Sequence, residues 1–85
     1  MLEPKQMEVG KQYQYEEKYY LACVVTVLED QCKDDWIGYK LQIEKIIGGK
    51  AEIGEIFECG YSKGCRHYTD WKIKPVGYTT DYLFE

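Results

Sequence analysis

Apolar and polar residues alternate along almost the whole chain, in short runs separated by turn segments rich in Gly, Asp and Lys. Nowhere do apolar residues keep the i, i+3, i+4, i+7 spacing of an amphipathic helix over three turns. Because successive side chains of a strand point to opposite faces, this period of two predicts strands with one buried face. The pattern predicts five strands, over residues 9–16, 19–29, 36–47, 51–59 and 65–74.

The segments between these strands are short, which favours hairpins between consecutive strands. The register of each hairpin can be tested, since a slip of one residue would move every side chain to the wrong face. A three-residue connection at 48–50 keeps the apolar residues on one face and predicts these pairs: Leu41 with Phe57, Tyr39 with Cys59, and Lys40 with Glu58 on the other face.

The same reasoning predicts the first and last hairpins. A turn at 16–18 places Tyr13 opposite Leu21 and Tyr15 opposite Tyr19. A connection at 60–64 predicts a further set of pairs: Cys59 with Cys65, Phe57 with His67, Glu58 with Arg66, Ile53 with Trp71, Glu52 with Lys72, and Ala51 with Ile73. The fifth strand is therefore expected beside the fourth.

One face of the predicted sheet carries most of the large apolar side chains. The expected core consists of Val9, Tyr13, Tyr15, Leu21, Cys23, Val25, Val27, Ile37, Tyr39, Leu41, Ile43, Ile53, Phe57, Trp71 and Ile73. A single sheet with one apolar face must bury that face on itself. We predict an all-β fold, a five-stranded antiparallel meander that forms a partly open barrel, similar in architecture to small Tudor-like and Src-homology-like barrels. Residues 1–85 are expected to form one domain, with 1–8 as a disordered lead-in and 76–85 as a tail that packs on the barrel or on a partner.

Length and charge argue against several classes of function. A chain of 85 residues has room for one domain. Its formal net charge of −4 repels phosphate backbones and anionic lipid headgroups, so nucleic acid is not the expected partner. No apolar run has the length of a membrane helix, and the first residues lack the layout of a signal peptide. We therefore expect a cytoplasmic protein without a membrane partner.

The closest approach to a metal site in the predicted register is the group Cys59, Cys65 and His67. Its spacing differs from the tight pairs of cysteines in zinc sites, and a fourth ligand would have to come from Cys23 or Cys32. A disulfide between Cys59 and Cys65 is a second alternative. In a reducing compartment, small thiols packed in the core are favoured over both, and we expect no metal and no cofactor.

Nothing in the sequence assembles a catalytic group. His67 is the one histidine, and neither a nucleophile nor an orienting acid is predicted beside it. Glu55 is the one carboxylate that the register sends inward. A bulge at 54–55 would instead turn Glu55 outward and Ile56 inward, and it is favoured because Ile56 is the better core residue. We expect a protein that is not an enzyme.

The second predicted strand is apolar on both faces, and its outward residues form a stripe of Tyr20, Ala22, Val24 and Leu28. A monomer rarely leaves such a stripe in water. Either the segment 78–84 folds over it, or a second chain docks there, with a homodimer as the simplest case. Val24→Glu, outward-facing and central, is expected to abolish partner binding or self-association at a modest cost in stability.

A second group of partner-binding candidates, Trp36, Tyr61 and Tyr68, is expected at the barrel rim. These aromatic residues either close the ends of the barrel or form a cage for a methylated or proline-rich peptide. The acidic stretch 29–35 is a solvated loop or a site for a basic partner. The expected function is a non-enzymatic macromolecule-binding module, acting as an inhibitor or adaptor through a protein partner. A peptide or small-ligand reader and a self-associating subunit are the alternatives.

Overall fold

A computed structural model describes residues 7–17, 20–62 and 71–77, with the backbone alone at 61, 71 and 72. These residues form five strands in one antiparallel sheet: β1 (Gln12–Glu17), β2 (Leu21–Asp30), β3 (Trp36–Gly49), β4 (Ile56–Ser62) and β5 (Trp71–Lys74). The all-β prediction is confirmed. The described ranges contain no helix, and so none with the length and apolarity needed to span a membrane.

The strands lie in the order β4-β3-β2-β1-β5. The first four form the predicted meander, but β5 pairs with β1, where Ile73 lies opposite Tyr15 and Trp71 opposite Glu17. The predicted placement of the last strand beside β4, including the pairs of 51–53 with 71–73, was therefore wrong. Alternation assigns side chains to a face, but both edges of a sheet offer unpaired backbone groups to a further strand. The predicted pairs of residues 65–67 lie outside the described residues.

The register between β3 and β4 is the predicted one, with Leu41 opposite Phe57 and Tyr39 opposite Cys59. The fourth strand nevertheless begins later than predicted, because residues 50–55 form a turn. Gly54 has a φ of 91°, which favours glycine, and its N–H donates to the Ile43 carbonyl at 2.7 Å. Beside this turn Glu55 is exposed as the favoured alternative predicted, but Ile56 is 51% exposed and does not turn inward.

The register between β1 and β2 differs from the prediction, with Tyr13 opposite Val25 and Tyr15 opposite Cys23. The chain turns later than expected, and the Tyr20 N–H donates to the Glu17 carbonyl at 3.0 Å. The β2 residues that lie opposite β1 are displaced from the predicted ones by an even number of positions. The predicted faces are therefore unchanged, because side chains alternate with a period of two.

The core lies on the predicted face and is formed by these buried residues: Met7, Tyr13, Tyr15, Cys23, Val25, Val27, Ile37, Tyr39, Leu41, Ile43 and Ile73. Leu21 and Phe57 pack against it and are partly buried. Val9 and Ile53 were predicted in the core but are 57% and 70% exposed, since both lie in turns outside the strands. Met7, within the segment 1–8 that was expected as a lead-in, is 4% exposed and packs in the core.

The sheet curls strongly without closing. The rings of Tyr15 on β1 and Phe57 on β4 meet edge to face, with centroids 5.3 Å apart. Two strands separate β1 from β4, and in a flat sheet the three strand spacings alone would separate the backbones of these residues by roughly 14 Å. Irregularities in the β2–β3 pairing, one of them between Val27 and Glu29, supply local bends. The further likeness to a Tudor-like barrel stays a prediction.

Candidate functional site

The most distinctive surface feature is the position of Trp36, the first residue of β3. Gly38 and Gly60 lie directly opposite each other on β3 and β4. A Cβ atom added to Gly38 would lie 2.4 Å from the indole Nε1, and one added to Gly60 would lie 2.4 Å from Cζ2. The indole therefore lies over both glycines, in space that a side chain at either position would occupy. Trp36 remains 38% exposed, so part of the ring system faces solvent from a fixed position.

A groove of about 620 Å³ runs beside this indole. Its described lining consists of Glu29, Asp30, Gln31, Cys32, Lys33 and Trp36. These residues belong to the end of β2, the start of β3 and the turn between them. The turn is held by backbone hydrogen bonds, from Lys33 N–H to the Trp36 carbonyl at 2.8 Å and from Gln31 N–H to the Gly38 carbonyl at 2.9 Å. The groove is therefore built on a hydrogen-bonded part of the sheet.

Gln31 positions two of the carboxylates near the groove. Its Nε2 group donates to Glu58 Oε2 at 2.6 Å and, at a longer 3.4 Å, to Glu29 Oε2. Lys40 lies between Glu29 and Glu58 in the cross-strand row, on the same face. An amide donor satisfies part of the accepting capacity of each carboxylate and leaves the rest available to a ligand.

Asp30 is held by its own turn. Its Oδ1 accepts a hydrogen bond from the Cys32 backbone N–H at 2.9 Å. This bond lowers the pKa of Asp30, because it favours the ionised carboxylate. The groove therefore keeps a negative charge at Asp30 in mildly acidic solution.

Behind the groove wall lies Tyr39, which is fully buried. Within the described residues its hydroxyl has no hydrogen-bond partner. Burial raises the pKa of Tyr39 far above its ordinary value, and the nearby Cys32 and Asp30 add to this effect. Cys32 itself donates from Sγ to the Gly38 carbonyl at 3.5 Å. The thiol thus lies between the groove and the buried hydroxyl.

Of the three predicted rim aromatics, Trp36 is the one whose side chain is described. Tyr61 lies opposite Ile37 in the backbone pairing, and the side chain of Tyr61 and all of Tyr68 lie outside the described residues. The aromatic cage therefore stays a prediction, with one of its three residues described. The predicted acidic stretch supplies the neighbouring carboxylates, and the position of the indole over Gly38 and Gly60 is the part that sequence reasoning missed.

The predicted metal group is described at Cys59, while Cys65 and His67 lie outside the described residues. Cys59 faces the core as predicted, and burial raises its pKa to about 12. Burial also raises the pKa of the Cys23 thiol to about 12. Over the described residues, no three side chains of His, Cys, Asp or Glu come together as a metal-binding group.

The predicted apolar stripe on β2 is not a continuous exposed surface. Tyr20 and Leu28 are 73% and 36% exposed, but Ala22 and Val24 are 0% and 7% exposed in the single chain. Ala22 and Val24 are therefore not exposed in the single chain, and their role in partner binding stays a prediction. A second chain is not needed to remove them from water, because atoms of the same chain already do so. The segment 78–84, considered above as a cover, lies outside the described residues.

A buried polar group shares this second face and was also missed. The Gln14 amide donates to Glu16 Oε2 at 2.8 Å, and Lys74 Nζ lies 3.2 Å from the same oxygen. The side chains of Lys74 and Glu16 are 6% and 0% exposed. The apolar Val24 and Ala22 lie opposite Gln14 and Glu16. Those apolar partners were the available signal that the face is covered.

No protein-family model, curated protein or solved structure matches this chain.

Proposed function

We propose that this chain is a non-enzymatic protein-binding module that holds a basic segment of another protein in the groove beside Trp36. The observation that carries the proposal is the Trp36 indole, which rests on Gly38 and Gly60 and exposes part of its surface to a groove lined by Glu29 and Asp30. An aromatic surface next to carboxylates is a suitable environment for a cationic side chain.

The arrangement is favourable because it is already formed. The indole is fixed against the sheet by contact with two backbone positions, and Gln31 orients Glu58 and Glu29. Binding therefore immobilises few additional side chains, which reduces the entropic penalty of association. A net charge of −4 would also steer a basic partner towards the chain. In this proposal the protein acts as an inhibitor or adaptor by binding the basic segment of its partner.

The test is a titration with a short lysine- and arginine-rich peptide, followed by NMR through the Nε1–H signal of Trp36. We expect this signal to shift and to saturate, and we expect binding to weaken as salt is added. Trp36→Ala should reduce binding without unfolding the chain, because the side chain is more than a third exposed. An acidic peptide of the same length should leave the signal unchanged.

Two lysines offer a charge-matched control. Lys33 lines the groove, whereas Lys45 is exposed on β3 opposite Val24, outside the lining. Lys33→Gln should strengthen binding of the basic peptide by about two- to fivefold, since it removes a competing cation at the site. Lys45→Gln changes the net charge equally and should have a smaller effect. Equal effects of the two variants, or no shift of the Trp36 signal, would refute the groove as the binding surface.

A further inference from the structure

We infer that the residue recognised in this groove is arginine, whose guanidinium group stacks on the exposed indole of Trp36 and donates hydrogen bonds to the carboxylate of Glu29. This inference rests on the proposed function and specifies its ligand. Three properties of the site lead to it: the shape of the aromatic surface, the position of the acceptors and the number of aromatic residues in the described lining.

The aromatic surface is planar and is backed by the sheet. The two glycine contacts, at Nε1 and at Cζ2, involve both rings of the indole, so the ring system extends across Gly38 and Gly60. The exposed part therefore belongs to a flat surface that cannot retreat towards the backbone. A planar guanidinium can cover such a surface over its whole area, whereas an ammonium group touches it at one point.

The acceptors lie at the side of this surface. Glu29 lines the groove together with Trp36, and Gln31 links Glu29 to Glu58 through one amide group. A guanidinium stacked on an aromatic ring directs its N–H groups outward in its own plane. Carboxylates at the groove edge can accept those bonds, which are stronger than bonds between neutral groups because both partners are charged.

The number of aromatic residues in the described lining favours recognition of arginine over recognition of methylated lysine. A trimethylammonium group has no N–H to donate and is recognised by several aromatic faces together. Trp36 is the one aromatic residue in the described lining, and the other described members are polar or charged apart from the Cys32 thiol. Such a lining offers hydrogen-bond acceptors to arginine and little additional aromatic surface to a methylated lysine.

The experiment uses one Gly/Ser host peptide whose cationic positions are filled in turn by arginine, lysine or trimethyllysine. Each peptide is titrated into the full chain, and the Trp36 Nε1–H signal is followed by NMR. We expect the arginine peptide to bind about five times more tightly than the lysine peptide, as expected for one additional cation–π contact. Trp36→Ala should abolish this preference.

Two acidic residues provide the matched control for the acceptor. Glu29→Gln should weaken binding of the arginine peptide more than binding of the lysine peptide. Glu52→Gln removes the same charge from an exposed position in the turn 50–55 and should affect the two peptides equally. Equal effects of the two variants on the arginine preference would show that Glu29 is not the acceptor and would overturn the inference.

The outcomes separate this inference from the function on which it rests. If lysine and arginine peptides bind equally, the arginine assignment is wrong, while the groove remains a site for basic segments. If the trimethyllysine peptide binds most tightly, the arginine assignment is again wrong and an aromatic cage is the better description. If none of the three peptides moves the Trp36 signal, the proposed function itself fails.

Discussion

Lys74 on β5 and Glu16 on β1 form an ion pair that is withdrawn from solvent, with 3.2 Å between Nζ and Oε2. The two residues are diagonal neighbours, because Lys74 lies opposite Gln14 and Glu16 lies opposite Lys72. The pair therefore joins the last strand of the sheet to the first, on the face opposite the main core. A buried charge that loses its partner is strongly unfavourable, so this pair tests how firmly β5 is held.

Lys74→Met should lower the free energy of unfolding by about 3 to 5 kcal/mol, because it removes the cation that lies 3.2 Å from the buried Glu16 carboxylate. Adding Glu16→Gln should restore much of this loss, since the amide keeps an oxygen that can accept from Gln14 and carries no charge. Chemical denaturation of both variants and the parent chain gives the comparison. Lys11→Met is the control: Lys11 pairs with Glu8 at 2.5 Å, but both side chains are exposed, so the expected loss is far smaller because water and salt screen the pair. A similar loss in Lys11→Met and Lys74→Met would contradict the buried pair.

Val24→Glu should destabilise the fold by several kcal/mol, because Val24 is 7% exposed and a carboxylate there would be removed from water. This is the opposite of the modest effect that the sequence pattern predicted for an outward-facing residue. Leu28→Glu provides the control on the same strand, since Leu28 is 36% exposed and should tolerate the charge. Thermal unfolding of the two variants decides the question, and an equal loss of stability would show that burial of Val24 is not the cause.

Gly38→Ala should displace the Trp36 indole and reduce binding of a basic peptide while the sheet stays folded. The added Cβ would lie 2.4 Å from Nε1, whereas the nearest backbone atom, the Cys59 carbonyl oxygen, is 3.4 Å away. Strain thus falls on a side chain that can rotate away. In a Trp36→Ala background the same change should leave binding unaltered, because no indole remains to be displaced. A loss of binding that is independent of Trp36 would contradict this explanation.

Alkaline solution should weaken the fold through the Cys23 thiol. Its folded-state pKa is about 12, against an ordinary value of 9.0. Between these values the folded chain keeps a proton that the unfolded chain has lost, so the stabilisation present below pH 9 is lost as the pH rises towards 12. Denaturation at a series of pH values should show this decrease, and Cys23→Ala should make it shallower. An unchanged pH dependence in Cys23→Ala would exclude this thiol as a cause.

Part of the fold followed from the sequence because a strand has only two faces. The alternation of Tyr39, Lys40 and Leu41 assigned each side chain to a face, and the short segment after β3 left one register that kept the apolar residues together. That register was correct. It also placed Gly38 opposite Gly60. Even the incorrect register of β1 against β2 preserved the faces, because the displacement was even.

Other features depended on contacts between residues distant in sequence. Alternation could not choose between the two edges of the sheet for β5, since both present similar backbone groups. The choice of β1 put Lys74 beside Gln14 and Glu16, and thereby created a buried polar group that the sequence did not predict. The candidate site was also predicted only in part. The sequence identified Trp36 and the acidic stretch 29–35, but the indole rests on Gly38 and Gly60 because of a side-chain orientation that only packing in three dimensions decides.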